Sequence, residues 1–386
     1  MEQFLRQLQT IPEAAELIRR VEEGGCPAAV SGLQPVQRAC VGAAVAAACG
    51  RPAVFLCGDE REVQVLSADL ETLTGRRPVT LLGREWQFRP GAVGSRDWER
   101  SRLAALYALA QGDAPVVVAT ADGLMARTLP PETLRSLAIT LEVGGQAELG
   151  ALAEQLLSAG YTRCEQVEGV GQFALRGGIL DVFSPLMDQP VRCEFFDDEI
   201  DSMGAFDPGT QRRTRNVSSA RILPAAEVLP HCAPGGLPGL ADQLTALAEK
   251  LAKKQKTEAI VQTLREDAER LRSGAAPGAA DRYLAAIYPT VTAGVHYLPP
   301  DAVVFLSESG RVDERVKNTV LQQKQDVEAL LSAGVLAGEY AHLTLTAEEL
   351  YAALEDFPVI LEDSLPTSRH PLRPRGLLTM NAKQLT

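Results

Sequence analysis

Between residues 51 and 141 short apolar runs alternate with amphipathic stretches. That rhythm restricts the chain to folds in which helices cover both faces of a mostly parallel sheet. Residues 52–57, 79–82 and 114–120 read as strands, and residues 60–73 and 95–110 as the helices between them. The alanine-rich stretch 35–49 reads as a further helix, stopped at Gly50, where a left-handed cap is expected. The texture then changes. After a helix over 146–158 come short β-like runs at 161–167, 172–175, 179–183, 191–196 and 217–223. Turn residues separate them, among them Gly177, Gly178 and the Asp207-Pro208-Gly209 triplet. A Pro/Gly-rich stretch over 230–239 reads as a linker, followed by two charged helices over 240–254 and 258–272. An apolar strand at 302–306 and a helix over 312–331 then resume the first pattern. The expected architecture is an α/β parallel-sheet domain interrupted by a small, β-rich α+β insert.

In numbers, the expected division is 1–142 for the first half of the α/β domain, 143–225 for the insert, and 226–355 for the second half with its helical linker. Residues 356–386, rich in proline and basic side chains, read as the truncated start of a following linker or domain. A length of 386 residues with 46% hydrophobic side chains suffices for about two or three domains. The net charge of −12 argues against bulk electrostatic capture of a phosphate backbone. Seven cysteines form no C-x-x-C pair and share no ligand spacing with the four histidines, so they read as reduced thiols and not as a zinc site. The first 23 residues are amphipathic and charged, unlike a signal peptide, and no apolar run is long enough to cross a bilayer. These features point to a cytoplasmic protein with no membrane partner.

Three blocks carry a resemblance to a known family. One runs from Gly171 through Arg176, Gly177, Gly178 and Asp181 to Phe183; the second runs from Pro190 through Arg192, Phe195 and Phe196 to Ser202, followed by Phe206-Asp-Pro and Gln211-Arg212. The third spans 96–130 and contains R-L-x-A-L-Y-x-L and A-P-V-V-V-A-T. Together they resemble the amino-terminal, UvrB-like module of the bacterial transcription-repair coupling factors. The resemblance implies a degenerate RecA-like, helicase-type domain carrying an inserted UvrA-interaction domain, with Arg176, Arg192 and Phe196 as the UvrA-binding residues. It also implies that RNA polymerase, double-stranded DNA, ATP and magnesium are met by parts of the parent protein beyond Thr386, an ATP-driven translocase, and that this segment needs no cofactor.

An active helicase requires G-x-x-x-x-G-K-[ST] after its first strand, so that amides cradle phosphates and a lysine reaches the outer ones. Residues 28–38 here hold one glycine, Gly32, no Gly-Lys pair, and Pro35 in the turn. Where a later strand would end in paired carboxylates to organise magnesium, the chain reads Ser307-Glu308-Ser309. Trp86, Phe88 and Trp98 are the aromatic residues available for a damage-probing hairpin, which falls short of a stacking cluster. The expected role is therefore an adaptor. A divergent ATPase or helicase using the loop near Gly32, and a standalone UvrB-like DNA-binding protein, are the alternatives.

Two readings of the docking residues follow from side-chain chemistry. Arginine forks and an aromatic ring make an interface anchor; equally, Arg176 and Arg192 could pair with Asp181, Asp197 or Asp198 inside the fold while Phe196 joins the core. Strand alternation sends Phe195 and Phe196 to opposite faces, and Phe195 is assigned to the core. The Arg212-Arg213-Thr214-Arg215 cluster and the lysines over 250–256 read as solvated faces.

Overall fold

The computed structural model describes residues 2–89, 97–254, 257–366 and 369–380. Ser95, Arg96, Lys256 and Thr386, on which some sequence expectations fall, lie outside the described residues, as does the side chain of Asp97.

In chain order the strands are β1 (Ala28–Ser31), β2 (Ala53–Cys57), β3 (Val79–Leu81), β4 (Val116–Thr120), β5 (Ile139–Glu142), β6 (Thr162–Arg163), β7 (Gln172–Arg176), β8 (Ile179–Val182), β9 (Val191–Phe196), β10 (Glu199–Phe206), β11 (Arg213–Asn216), β12 (Ser219–Ile222), β13 (Val303–Ser307), β14 (Val359–Asp363) and β15 (Leu377–Thr379). Seven of them form one sheet in the order β15-β1-β14-β13-β2-β4-β3. Every pairing in it is parallel.

Its central strands are buried along their whole length because their side chains alternate between two separate cores. Val54, Leu56, Val117, Ala119, Val304, Leu306 and Leu361 face a layer that includes the helices Asp97–Gln111, Gly236–Leu251 and Glu258–Arg272. Ala53, Phe55, Val116, Val118, Val303, Phe305 and Ile360 face the helices Pro12–Glu22, Pro35–Cys49 and Glu60–Thr74. Phe55 and Phe305 stack across neighbouring strands with centroids 4.9 Å apart. Two-sided cover of this kind is what a parallel sheet requires.

The insert has a six-stranded sheet, β11-β10-β9-β8-β7-β6, and a ribbon of β12 with β5. One face of the larger sheet packs Phe173, Leu180, Cys193, Ile200 and Met203 against Leu152 and Leu156 of the helix Leu149–Ser158. Most of the other face carries polar side chains.

Several expectations need correction. The ribbon places residues 139–142 with the insert, so the boundary falls before 143. The expected linker over 230–239 is instead a short 3-10 turn, Pro230–Cys232, running into the helix Gly236–Leu251, whose Leu240, Ala241, Leu244 and Ala248 are buried in the main core. Most consequentially, residues beyond 356 do not simply begin something else. β14 lies inside the parallel sheet, between β1 and β13, and β15 pairs β1 at its edge.

Candidate functional site

Charged side chains gather in several places among the described residues, and two of them bear on the sequence expectations. The first is the crevice outside the carboxyl ends of β1, β14 and β13, where open α/β sheets hold their ligands. Here Gly32, Leu33 and Gln34 connect β1 to the helix Pro35–Cys49. Gly32 has φ +89°, and a Cβ there would lie 2.3 Å from the carbonyl oxygen of Met380, so the loop is pressed onto the chain leaving β15. Leu33 N donates to Asp363 O at 3.3 Å. Pro35 removes an amide from the first helical turn, where an anion would need one.

Arg38, one turn into that helix, fills the crevice. Its guanidinium pairs with Glu308 at the end of β13 and with Glu62 at 3.3 Å, and it donates to Leu33 O at 3.4 Å. Ser307 Oγ donates to Glu62 at 2.7 Å, and Ser364 donates to Glu308 through its amide at 3.2 Å and through its hydroxyl. Asp363 accepts from Ser309 N at 2.7 Å and from its hydroxyl. Glu308 itself takes φ +52°, an uncommon conformation for a residue other than glycine. Beside this network Glu362 is fully buried, and neither of its oxygens has a hydrogen-bond partner among the described residues. Burial pushes its carboxyl well above the usual range; Arg38 opposes the rise, while Asp363 and Glu62 reinforce it.

The second place is the open face of the insert sheet. β7 and β8 are joined by Gly177-Gly178 as a tight hairpin, with Arg176 opposite Ile179 and Gly177 at φ +59°. Asp181 on β8 lies opposite Arg192 on β9. Its carboxylate is 0% exposed and accepts from both arginines: Nη2 of Arg176 at 2.7 Å, and Nε and Nη2 of Arg192 at 2.7 and 2.8 Å. Hydrogen bonding to Asp181 raises the Arg192 pKa, burial opposing it. The shared carboxylate fixes both forks, yet the Arg176 side chain stays 50% exposed and that of Arg192 22%.

Two strand positions beyond Arg192 on the same face, Phe196 is 80% exposed. Phe195 turns the other way and packs on the insert core, as strand alternation requires. The two arginines are thus paired internally through Asp181, and the ring of Phe196 lies outside the core. A ring so exposed on a strand is the unusual observation, because large aromatics are mostly covered. The structure brings Arg176, Arg192 and Phe196 to one face of one sheet. Of the three acids that the sequence offered as internal partners, cross-strand register selects Asp181 for both arginines.

The insert is joined to the α/β layer by buried charge. Glu227, at its exit, is 0% exposed; Arg102 Nε lies 3.0 Å away, Thr128 Oγ1 donates at 2.6 Å, and Arg84 lies 3.6 Å away. Burial alone would raise the Glu227 carboxyl, but Arg102, Arg84 and Thr128 hold it below its ordinary value. Arg84 continues the network to Asp281 at 2.8 Å and lies over the ring of Trp86, 4.1 Å from its centroid; Trp86 in turn stacks on Phe88.

A parallel α/β layer with a crevice closed by its own arginine, interrupted by a β-rich unit with an open charged face, is a UvrB-like module. Residues 139–227 match the UvrB interaction domain. Along most of its length the chain is similar to transcription-repair coupling factors. It is 26% identical to the Bacillus subtilis factor over 96% of this chain and 31% of that protein. To the Myxococcus xanthus factor it is 35% identical over 63% of the chain and 20% of that protein, and to the Escherichia coli factor 34% over 46% and 15%. The chain therefore spans less than a third of the length of these curated relatives. No helix among the described residues is long and apolar enough to cross a membrane.

Proposed function

We propose that this chain is a UvrA-docking adaptor of a transcription-repair coupling factor, linking a stalled RNA polymerase to nucleotide excision repair without hydrolysing nucleotide itself. The observation that carries the reading is the exposed Phe196 beside two arginines oriented by one buried carboxylate, in a region matching the UvrB interaction domain. A protruding ring flanked by fixed guanidinium forks is the usual composition of an interface anchor, the ring filling a recess and the forks meeting carboxylates. Contacts with RNA polymerase and with double-stranded DNA, and the ATP-driven translocation they serve, fall to other parts of the parent protein. The crevice supports the absence of hydrolysis here, since Arg38 and its carboxylate partners occupy the position that a phosphate chain and its metal would need.

The test is a calorimetric titration of this chain against UvrA, with Arg176→Ala and Arg192→Ala alongside. Binding by the parent and a loss of about 2 kcal/mol or more in each variant is the expected result. A folded parent chain that does not bind would overturn the adaptor reading. ATP turnover, with and without DNA, is expected to be absent; turnover that disappears in Glu308→Gln would favour a divergent ATPase instead.

A further inference from the structure

Three register rows cross the open face of the insert sheet. The row Asp181, Arg192, Gly204, Asn216 runs from β8 to β11, and beside it lies the row Arg176, Ile179, Glu194, Ser202; Phe196 and Glu199 follow at the hairpin end. Gly204 is the position on this face without a side chain, and the space above it is taken. A Cβ built on Gly204 would lie 1.8 Å from Nε of Arg213 and 2.7 Å from its Cζ. Arg213, on the edge strand β11, therefore lies flat across β10, its Nη2 donating to Ser202 Oγ at 3.3 Å. Ser202 in turn donates to Glu194 at 2.8 Å, which fixes the hydroxyl that receives the arginine.

The three arginines of this face differ in how their charge is compensated. Arg176 and Arg192 share Asp181. Arg213 is exposed and has no ion-pair partner among the described residues. A long side chain held over a backbone glycine, with its charge unmatched, is placed where a partner's carboxylate can meet it with little further ordering. At the other end of the face, Asp197 and Asp198 in the turn between β9 and β10, and Glu199 at the start of β10, are all exposed. The face is thus graded along the strands: three arginines with the two carboxylates of Asp181 and Glu194 across its body, three carboxylates at the hairpin tip, and Phe196 between.

We propose that Arg213, seated over Gly204, is a third recognition arginine of the docking face. The partner surface that fits it carries an acidic patch beside an apolar recess, the recess taking Phe196 and the carboxylates facing the arginine side and not the acidic tip. The inference rests on the UvrA-docking reading given above and names the chemistry of the surface that UvrA presents.

Gly204→Ala provides the discriminating variant. Its methyl would displace the far end of a flexible side chain and leave backbone contacts unchanged, so the sheet stays intact while the guanidinium loses its seat. Titrations of UvrA against the parent chain, Arg213→Ala, Gly204→Ala, the double variant and Arg176→Ala, each verified as folded by near-ultraviolet circular dichroism, test the proposal. Arg213→Ala is expected to weaken binding about tenfold and to make affinity less steeply dependent on salt. Gly204→Ala should reproduce most of that loss, and the double variant should be no weaker than Arg213→Ala alone, because both changes remove one contact. If Arg213→Ala binds like the parent while Arg176→Ala does not, this proposal is wrong and the docking reading stands. Additive losses would overturn the seating by Gly204. A folded parent that fails to bind would overturn both readings.

Discussion

The crevice of the parallel sheet and the open face of the insert are made from the same materials, arginine forks and carboxylates, and they end with opposite properties. In the crevice Arg38, Glu62 and Glu308 turn toward one another and are largely closed to solvent. On the insert face a single buried acid, Asp181, holds two arginines by one side and leaves the rest of each fork exposed. The difference lies in the ratio of acid to base and in the depth of the backbone around it. Where acids surround one arginine at the mouth of a sheet covered on both faces, the charge is consumed within the fold. Where one acid serves two arginines on a sheet covered on one face, donors remain for another molecule.

The sharpest way to break this contrast is Arg38→Ala. Removing the shared partner leaves Glu62 and Glu308 facing each other in a closed site, and a loss of about 3 kcal/mol in unfolding free energy is expected from denaturant titration. A change below about 1 kcal/mol would mean that the crevice is held by something other than its charges. Phe196→Ala should do the reverse, weakening UvrA binding by about 2 kcal/mol or more while leaving stability within about 0.5 kcal/mol. If thermal unfolding shows Phe196→Ala to be strongly destabilised, the ring serves the fold and the face loses its anchor. Asp181→Asn lies between the two, with an expected cost of about 1–2 kcal/mol in stability and weaker UvrA binding as well, since both forks lose their common acceptor. Stability loss without any binding loss would separate the carboxylate from docking.

The smallest effect concerns pH. The native carboxyl of Glu362 is raised well above the ordinary value of 4.5, so the folded state retains a proton that the unfolded chain releases. The stability tied to that proton is fully present below the ordinary value and is lost as pH rises toward the native one. Glu362→Gln should flatten this dependence and help most at the alkaline end of the range. Parallel stability–pH curves for parent and variant would show that Glu362 is not protonated in the fold.

Much of this was legible in the sequence. The five-residue apolar runs that became β2, β4 and β13 were visible because a strand buried on both faces needs little but branched and aromatic side chains. β1 was not, since Ala28-Ala29-Val30-Ser31 has no such bias and is a strand because β14 and β15 flank it. β10, the longest strand of the insert, was missed because Glu199, Asp201, Ser202 and Gly204 break the apolar pattern. Parity alone separated Phe195 from Phe196. The seat of Arg213 was beyond reach, because it depends on the irregular register between β10 and β11, where the pairing shifts at Ala205 and Phe206.

The position of β14 also bears on synthesis. β1 ends at Ser31, and the strands that flank it begin at Val359 and Leu377. A chain emerging from the ribosome therefore carries β1 without a neighbour until nearly all the described residues have appeared, and β2, already paired with β4, waits for β13 at its other edge. The insert, whose strands lie between Ile139 and Ile222, has no such delay. Local pairings form before distant ones, so the open face of the insert is complete while the parallel sheet that carries it still lacks its middle. The nascent chain most exposed to aggregation is consequently one that already displays Phe196.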